Sequence, residues 1–158
     1  MTIARRSALQ GLAALAWIAG ARFGFAAEAS PIVVSKDPSC GCCTGWVEHL
    51  RKEGFSVEVR DVPDVNRVRA RLGVPADLAG CHTAQVAGYV IEGHVPAAAL
   101  RRFLGEKPNA RGLAVPGMPV GSPGMEVPNV PPEEYEVVLF GSQRRVYARF
   151  KGPVEILR

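Results

Sequence analysis

The sequence lacks the long apolar run that a membrane-spanning helix needs. Its main apolar stretch, Leu9 to Ala19, is shorter than the roughly 20 residues required to cross a bilayer. It also lacks internal repeats and, beyond its N-terminal segment, any excess of basic charge. Removing Arg5, Arg6 and Arg22 from the 19 basic residues leaves 16, against 15 acidic residues, or 14 if Glu28 is also lost. Such a nearly neutral chain gives no support for nucleic-acid binding.

The N-terminal segment has the pattern of a secretory signal peptide. Arg5 and Arg6 precede the apolar stretch, and small residues at the −3 and −1 positions fit cleavage after Ala26 or after Ala29. The adjacent arginines also fit, loosely, a twin-arginine signal. We therefore expect an exported, periplasmic protein with no stable membrane insertion once the signal is cleaved.

We assign residues 1–29 to the signal peptide and residues 30–158 to one domain, which is long enough to form its own core. Apolar periodicity predicts strands at 31–35, 55–62, 83–86 and 89–92, and helices at 44–53, 64–72 and 96–104. This βαβαββα order is that of the α/β thioredoxin-like fold, in its glutaredoxin-like form. A Gly/Pro-rich loop is predicted at 107–132, followed by a C-terminal β-hairpin at 135–150.

The four cysteines are not spread along the chain as a disulfide framework would be. Cys40, Cys42 and Cys43 fall within four residues, so bridges among them would close only very small rings. They lie between a predicted strand and the start of a helix, where free backbone N–H groups and the helix dipole stabilise thiolates. A thiolate is both a metal ligand and a redox nucleophile, so this location alone does not separate the two uses.

The composition of the motif favours metal binding. Cys40 and Cys43 have the C-x-x-C spacing of thiol-disulfide enzymes, but Cys42 between them would promote scrambled bridges. In thioredoxin-like folds the loop before the third strand faces this motif, and here that loop brings Cys81. The proline that usually begins that strand, and protects the redox motif from metals, is missing, and Thr83-Ala84 stands near its place. Several thiolates select Cu(I), with Zn(II) an alternative if a tetrahedral site forms.

Histidines and methionines could complete such a site. His82 would ligate copper or hydrogen-bond a cysteine sulfur, unless it is a turn histidine satisfied by backbone, and His94 would complete the site or cap a turn. Met118 and Met125 would supply thioether ligands or line the cluster, with hydrophobic loop anchoring as the alternative. His49 is expected to be a solvated helix residue.

Several sequence blocks resemble the exported thioredoxin-like metal-binding family that includes the periplasmic copper-resistance protein CopG. They lie at 40–43 with Trp46, 81–84, 88–89, 92–96, 117–119 and 121–126. The resemblance implies periplasmic copper handling, with Cys40, Cys42, Cys43 and Cys81 holding more than one Cu(I) ion in a thiolate-bridged cluster. It also implies a redox role. We expect Trp46 to be a core anchor beneath the site.

Four functions are compatible with these residues. The first is Cu(I) binding for copper resistance or homeostasis, with copper-transfer proteins of the periplasm as partners. The second is a thiol-disulfide oxidoreductase that uses Cys40 and Cys43, and the third is an oxidoreductase whose substrate is copper itself. The fourth, ranked last, is a zinc-stabilised structural domain, which chelators would unfold.

Overall fold

The structure is a computed structural model that describes residues 30–157, apart from the side chain of Leu157. The predicted signal peptide at 1–29 lies outside the described residues. The strands are β1 (Ile32–Lys36), β2 (Val57–Asp61), β3 (Thr83–Val86), β4 (Tyr89–Glu92), β5 (Gly112–Ala114), β6 (Glu134–Phe140), β7 (Arg145–Lys151) and β8 (Val154–Leu157). The α-helices are α1 (Gly41–Lys52), α2 (Val65–Arg71) and α3 (Ala97–Glu106), and Ala76–Leu78 forms a short 3₁₀ turn.

All eight strands described form one mixed sheet in the order β2-β1-β3-β4-β5-β6-β7-β8. The β1–β2 and β4–β5 pairs are parallel, and the other neighbouring pairs are antiparallel. Both parallel connections contain a helix, as such crossovers usually do. The chain is therefore a mixed α/β protein whose elements from β1 to α3 follow the predicted order.

Two apolar clusters, one on each side of the sheet, form the core. Trp46 of α1 and Phe103 of α3 belong to the larger cluster, and Val68 of α2 belongs to the smaller one. Successive strand residues alternate between the faces, so Ile91 joins the larger cluster and the adjacent Val90 the smaller one. The helices thus cover both faces of the sheet, with α1 and α3 packed against one face and α2 against the other.

The pairing of β1 with β3 determines where the cysteines meet. Ser35, near the end of β1, is paired with Thr83, the first residue of β3. Because the strands are antiparallel, the C-terminal end of β1 lies beside the N-terminal end of β3. The turn that leaves β1 and the loop that enters β3 are therefore neighbours. The first three cysteines and Cys81 are consequently brought together.

Two strands fall outside the prediction. The segment at 107–132 was expected to be entirely loop, but it contains β5, which pairs with β4 and β6. The expected C-terminal hairpin is a three-stranded unit, because β8 pairs with β7. None of the helices in the described part of the chain is long and apolar enough to span a membrane.

Candidate metal centre

The four cysteine sulfurs lie together at the N-terminus of α1. All four are within 4.8 Å of one another, and no histidine nitrogen belongs to this group. The Sγ atom of Cys40 is 3.5 Å from that of Cys42 and 3.3 Å from that of Cys81, and Cys42 and Cys81 are 3.4 Å apart. The prediction that Cys81 lies beside the other three cysteines is therefore confirmed.

Cys40 and Cys43 form a disulfide, which leaves Cys42 and Cys81 as free thiols among the described residues. This is the pair that has C-x-x-C spacing, and the sequence analysis treated it as a redox alternative rather than as the main expectation. Cys43 is fully buried, whereas the other three are partly exposed. Four thiolates are available to a metal ion only after this bond is reduced.

The start of α1 favours negative charge at the cysteines. Cys40 is the N-cap residue, no side chain among the described residues caps this end, and the first turn contains no acidic residue. Free N–H groups and the positive end of the helix dipole therefore face the motif. The preceding turn is held by Lys36, whose buried ammonium donates to the Asp37 carbonyl at 2.8 Å and pairs with Asp61 at 3.2 Å.

Cys81 is the most strongly perturbed thiol. Burial raises its pKa to about 12, assisted by a hydrogen bond and charge repulsion from Cys42, while Arg69 acts in the opposite direction. In the metal-free state, Cys81 is thus protonated at neutral pH. Metal binding at this thiol has to displace a proton, because a coordinating thiol is deprotonated.

His82 is fully buried beside the cysteine cluster. Its ring lies 4.3 Å from that of Trp46 and 5.0 Å from that of His94, measured between centroids. Neither of its ring nitrogens makes a hydrogen bond of good geometry within the described residues. Burial lowers its pKa well below the usual value, and the nearby Gly93 backbone opposes this only in part. Gly93 is thus the one backbone group among the described residues that acts on the ring, and both interpretations of His82, as a metal-site residue and as a turn histidine held by backbone, stay predictions.

His94 is also fully buried, and a backbone contact indicates its tautomer. Its Nδ1 atom lies 2.8 Å from the Pro123 carbonyl oxygen, so Nδ1 carries the proton and donates it there. Burial lowers the pKa of His94, which favours the neutral ring. The Nε2 atom then has a free lone pair, and it has no hydrogen-bond partner among the described residues. This is the state that a metal ligand requires.

The two methionines occupy different environments within the Gly/Pro-rich segment. Met118 is 56% exposed, whereas Met125 is half-buried. Their segment contacts the start of α1 through Gly124, whose backbone approaches Gly45 so closely that a Cβ added to Gly45 would lie 2.9 Å from the Gly124 Cα. The segment therefore reaches the edge of the cysteine site, but no contact between a methionine sulfur and the cluster is established.

Two neighbouring residues have roles in packing. Trp46 is fully buried and donates from Nε1 to the Val95 carbonyl at 2.8 Å, which confirms it as the anchor beneath the site. His49 was expected to be a solvated helix residue, and this was wrong. It is half-buried, and its Nε2 accepts a hydrogen bond from the backbone N–H of Ala97 at 3.2 Å, which joins α1 to the start of α3.

Sequence analysis did not identify Arg69 and Glu92, which form a buried ion pair at 2.7 Å beside the Cys81 loop. Arg69 lies on α2 between two other basic residues, Arg67 and Arg71, and nothing in that pattern marks it as the buried one. Glu92 ends a buried strand, and a carboxylate at such a position is the one signal that could have pointed to a buried partner.

The site has the donor set of a soft-metal centre. Four clustered sulfurs at a helix N-terminus, with two buried neutral histidines nearby, match the ligands that Cu(I) and Zn(II) prefer. The fold and the site together define a small mixed α/β protein with a four-cysteine candidate metal centre.

Comparison with known proteins identifies the family. Residues 78–125 match the family described as "Protein of unknown function, DUF411". Two solved structures of copper resistance protein CopG, Form 1 and Form 2, are each 43% identical to this chain, with TM-scores of 0.72 and 0.71. They cover 79% and 77% of this chain, and 100% and 99% of their own chains are matched. A search of curated proteins gave no match. The chain belongs to the family of copper resistance protein CopG.

Proposed function

We propose that this protein binds Cu(I) through the thiolates of Cys40, Cys42, Cys43 and Cys81, and thereby acts in copper resistance or homeostasis. The observation that carries the proposal is the convergence of four sulfurs within 4.8 Å. Sulfurs this close can bridge neighbouring ions, which supports a cluster with more than one copper ion. Thiolate ligands favour Cu(I) over harder ions.

The proposal requires the reduced protein. The Cys40–Cys43 disulfide withholds two of the four thiolates, and a two-electron reduction restores them. His94 and His82 are proposed as additional ligands or as polar groups that line the cluster, because three of their buried ring nitrogens make no hydrogen bond of good geometry with the described residues. Met125 and Met118 are proposed as thioether donors, supported by the docking of their segment against α1.

The setting of the site supports the rest of the proposal. The order β2-β1-β3-β4 and the antiparallel β3 support the proposal of a thioredoxin-like core, to which β5–β8 would be additions. Membership of the family of a copper resistance protein and the signal pattern at 1–29 support an exported, periplasmic protein. Periplasmic copper-transfer proteins are the proposed partners.

The test is the copper content of the purified domain after anaerobic reduction, Cu(I) loading and desalting. Reduced wild type is expected to retain more than one copper ion per chain, whereas Cys42→Ser and Cys81→Ser are expected to lose most of it. Disulfide-bonded wild type is the matched control and should retain less. Parallel loading with Zn(II) tests the alternative metal. Equal copper in wild type and both variants, or none in wild type, would contradict the proposal.

A second candidate function is thiol-disulfide exchange, and the Cys40–Cys43 disulfide is the observation that favours it. In this reaction the reduced pair passes two electrons to a substrate disulfide. The substrate becomes two thiols while Cys40 and Cys43 become bonded. The free thiols of Cys42 and Cys81 lie 3.5 and 3.3 Å from the Cys40 sulfur, so internal exchange through Cys40 would compete.

An insulin-reduction assay separates the two candidates. An oxidoreductase should retain its activity after Cys42→Ser and lose it after Cys40→Ser. A copper-binding protein without this activity should show no turnover with either variant or with wild type, although its copper content would still depend on Cys42.

A further inference from the structure

A buried ion pair lies beside the loop that carries Cys81. The Arg69 Nε atom is 2.7 Å from Glu92 Oε1, and the exposed fractions of the two side chains are 11% and 0%. Removing two charges from water costs several kcal/mol per ion, and apolar side chains of similar size often stabilise a fold as well or better. Stability alone therefore gives no clear reason for this pair.

The pair makes hydrogen bonds to residues on both sides of Cys81. Glu92 Oε1 accepts from the Gly80 N–H at 2.7 Å, and Arg69 Nη2 donates to the Gly80 carbonyl at 2.7 Å. Glu92 Oε2 accepts from the Thr83 hydroxyl at 2.6 Å. Both polar backbone groups of the residue before Cys81, and the side chain two residues after it, are thus attached to one ion pair.

Close packing makes this attachment specific. A Cβ at Gly80 would lie 2.6 Å from the Cα of Gly93, the residue that follows Glu92, and 3.2 Å from the Val115 carbonyl oxygen. In addition, the Gly93 N–H donates to the carbonyl of His82 at 2.9 Å. The Cys81 loop therefore packs directly against the end of β4. The ion pair sets the distance between this loop and the strand.

The position of this loop controls the sulfur geometry. Cys40, Cys42 and Cys43 belong to one segment at the start of α1, whereas Cys81 reaches them from another part of the chain. Its sulfur lies 3.3 and 3.4 Å from those of Cys40 and Cys42. Metal–thiolate bonds are about 2.3 Å long for zinc and vary little, so a loop shift of about 1 Å would remove Cys81 from a shared site.

We propose that Arg69 and Glu92 are positioning residues that hold Cys81 in register with the cysteines of α1. Glu92 accepts from Gly80 and Thr83, and Arg69 orients Glu92 while holding the Gly80 carbonyl. The consequence for copper rests on the proposed metal-binding function, whereas the consequence for the distance between Cys42 and Cys81 does not. The two consequences are tested separately.

The main variant is Arg69→Met/Glu92→Leu, which replaces the ion pair with apolar side chains and removes both contacts to Gly80. Its thermal midpoint is expected to fall, because the Gly80 N–H, the Gly80 carbonyl and the Thr83 hydroxyl lose these partners, so binding is compared at a temperature well below that midpoint. Its apparent affinity for Cu(I), measured by competition with a chromophoric chelator, should fall by roughly 10- to 100-fold, as is typical when outer-shell partners of metal ligands are removed.

A metal-free measurement uses the same change in a Cys40→Ser/Cys43→Ser background, where only Cys42 and Cys81 remain. Diamide takes two electrons and two protons from these thiols to form a disulfide, at a rate that depends on their alignment. The double variant should form this bond about tenfold more slowly than its parent, since the thiols start out aligned. The single change Glu92→Gln in the same background keeps Arg69 and an oxygen that accepts from the Gly80 N–H. Its cross-linking rate should be close to that of the parent.

The matched control is Arg102→Met/Glu155→Leu, which removes a partly buried ion pair that joins α3 to the far edge strand β8. Unchanged cross-linking in this control, together with slow cross-linking in the Arg69/Glu92 variant and a rate close to the parent's in Glu92→Gln, supports the proposal. Cross-linking at the parent rate in the folded Arg69/Glu92 variant would overturn it. If that variant does not fold, Arg69→Lys replaces it, because lysine keeps the charge but cannot bind Glu92 and Gly80 in the same fork.

Failure of copper binding has a separate signature. If wild type binds no Cu(I) while cross-linking still depends on Arg69 and Glu92, the positioning role stands and the proposed function fails. If wild type binds Cu(I) and the Arg69/Glu92 variant binds it equally well with unchanged cross-linking, the positioning role is wrong.

Discussion

Replacing Gly124 with alanine tests whether the Gly/Pro-rich segment is packed against the candidate metal centre. Gly124 has a φ of +84°, a conformation that costs other L-residues about 1–2 kcal/mol. The Cβ added at Gly124 would lie 2.5 Å from the backbone nitrogen of Trp46 and 2.6 Å from the carbonyl oxygen of Cys42. Both atoms are helix backbone and cannot rotate away, so overpacking adds about 1–3 kcal/mol.

The two costs together predict a loss of about 2–5 kcal/mol in the free energy of unfolding. For a domain of this size the thermal midpoint should fall by roughly 10–20 °C. Differential scanning calorimetry of Gly124→Ala against wild type measures this shift. The midpoint should fall in metal-free protein as well, since the clash is with backbone atoms and does not involve a metal ion.

Gly105→Ala provides the matched control. Gly105 lies within α3, and nothing approaches within 4 Å of its added Cβ, so alanine there should stabilise by about 0.5–1 kcal/mol through helix propensity. A Gly124→Ala midpoint within about 2 °C of wild type, alongside a normal Gly105→Ala result, would show that the segment does not pack against α1 as described.

Two further predictions concern single side chains. In disulfide-bonded protein, iodoacetamide should alkylate Cys81 far more slowly at pH 8 than it alkylates free cysteine, because the raised pKa of about 12 leaves little thiolate. The rate should keep rising above pH 9, and Cys42→Ser should raise it at every pH below 12; a plateau near pH 9 would contradict this. Asp64 caps α2 by accepting from the N–H groups of Asn66 and Arg67 at 2.9 and 3.3 Å. Asp64→Ala should cost about 1 kcal/mol in urea unfolding and Asp64→Asn much less, whereas equal losses would argue against a capping role.

Local patterns were sufficient for the first part of the fold. The β-branched run at 32–34, the apolar spacing of Trp46 and Leu50, and the cap at Asp64 each predicted an element that the structure contains. Boundaries were less accurate. Helix α1 begins at Gly41, three residues before the predicted start, because Cys42 and Cys43 adopt helical geometry and Cys40 is the extended residue that precedes the helix.

The missed strands have a common physical reason. Strand β5 is only three residues long, Gly112–Ala114, and exists because neighbouring strands on both sides supply its hydrogen bonds. Strand β8 is four residues long and depends on pairing with β7. Segments this short have no periodicity of their own, so tertiary context determines their conformation.

The candidate site was predictable where chemistry is concentrated in sequence and unpredictable where it depends on distant contacts. The motif from Cys40 to Cys43 was evident, and the predicted order of strands and helices brought Cys81 beside it, as the structure has it. The packing of His82 on Trp46 and the pairing of Arg69 with Glu92 join residues 36 and 23 positions apart. Nothing in the local sequence distinguishes these pairings from alternatives.

The placement of β5 next to β6 has a consequence for chain cleavage. The segment between them, residues 115–133, leaves one strand and enters its antiparallel neighbour, and it includes the exposed side chains of Val127 and Val130. A single proteolytic cut there would leave each fragment bound to the other through the β5–β6 ladder and the shared core. The nicked protein should therefore stay assembled as a two-chain complex, with every cysteine on the same fragment.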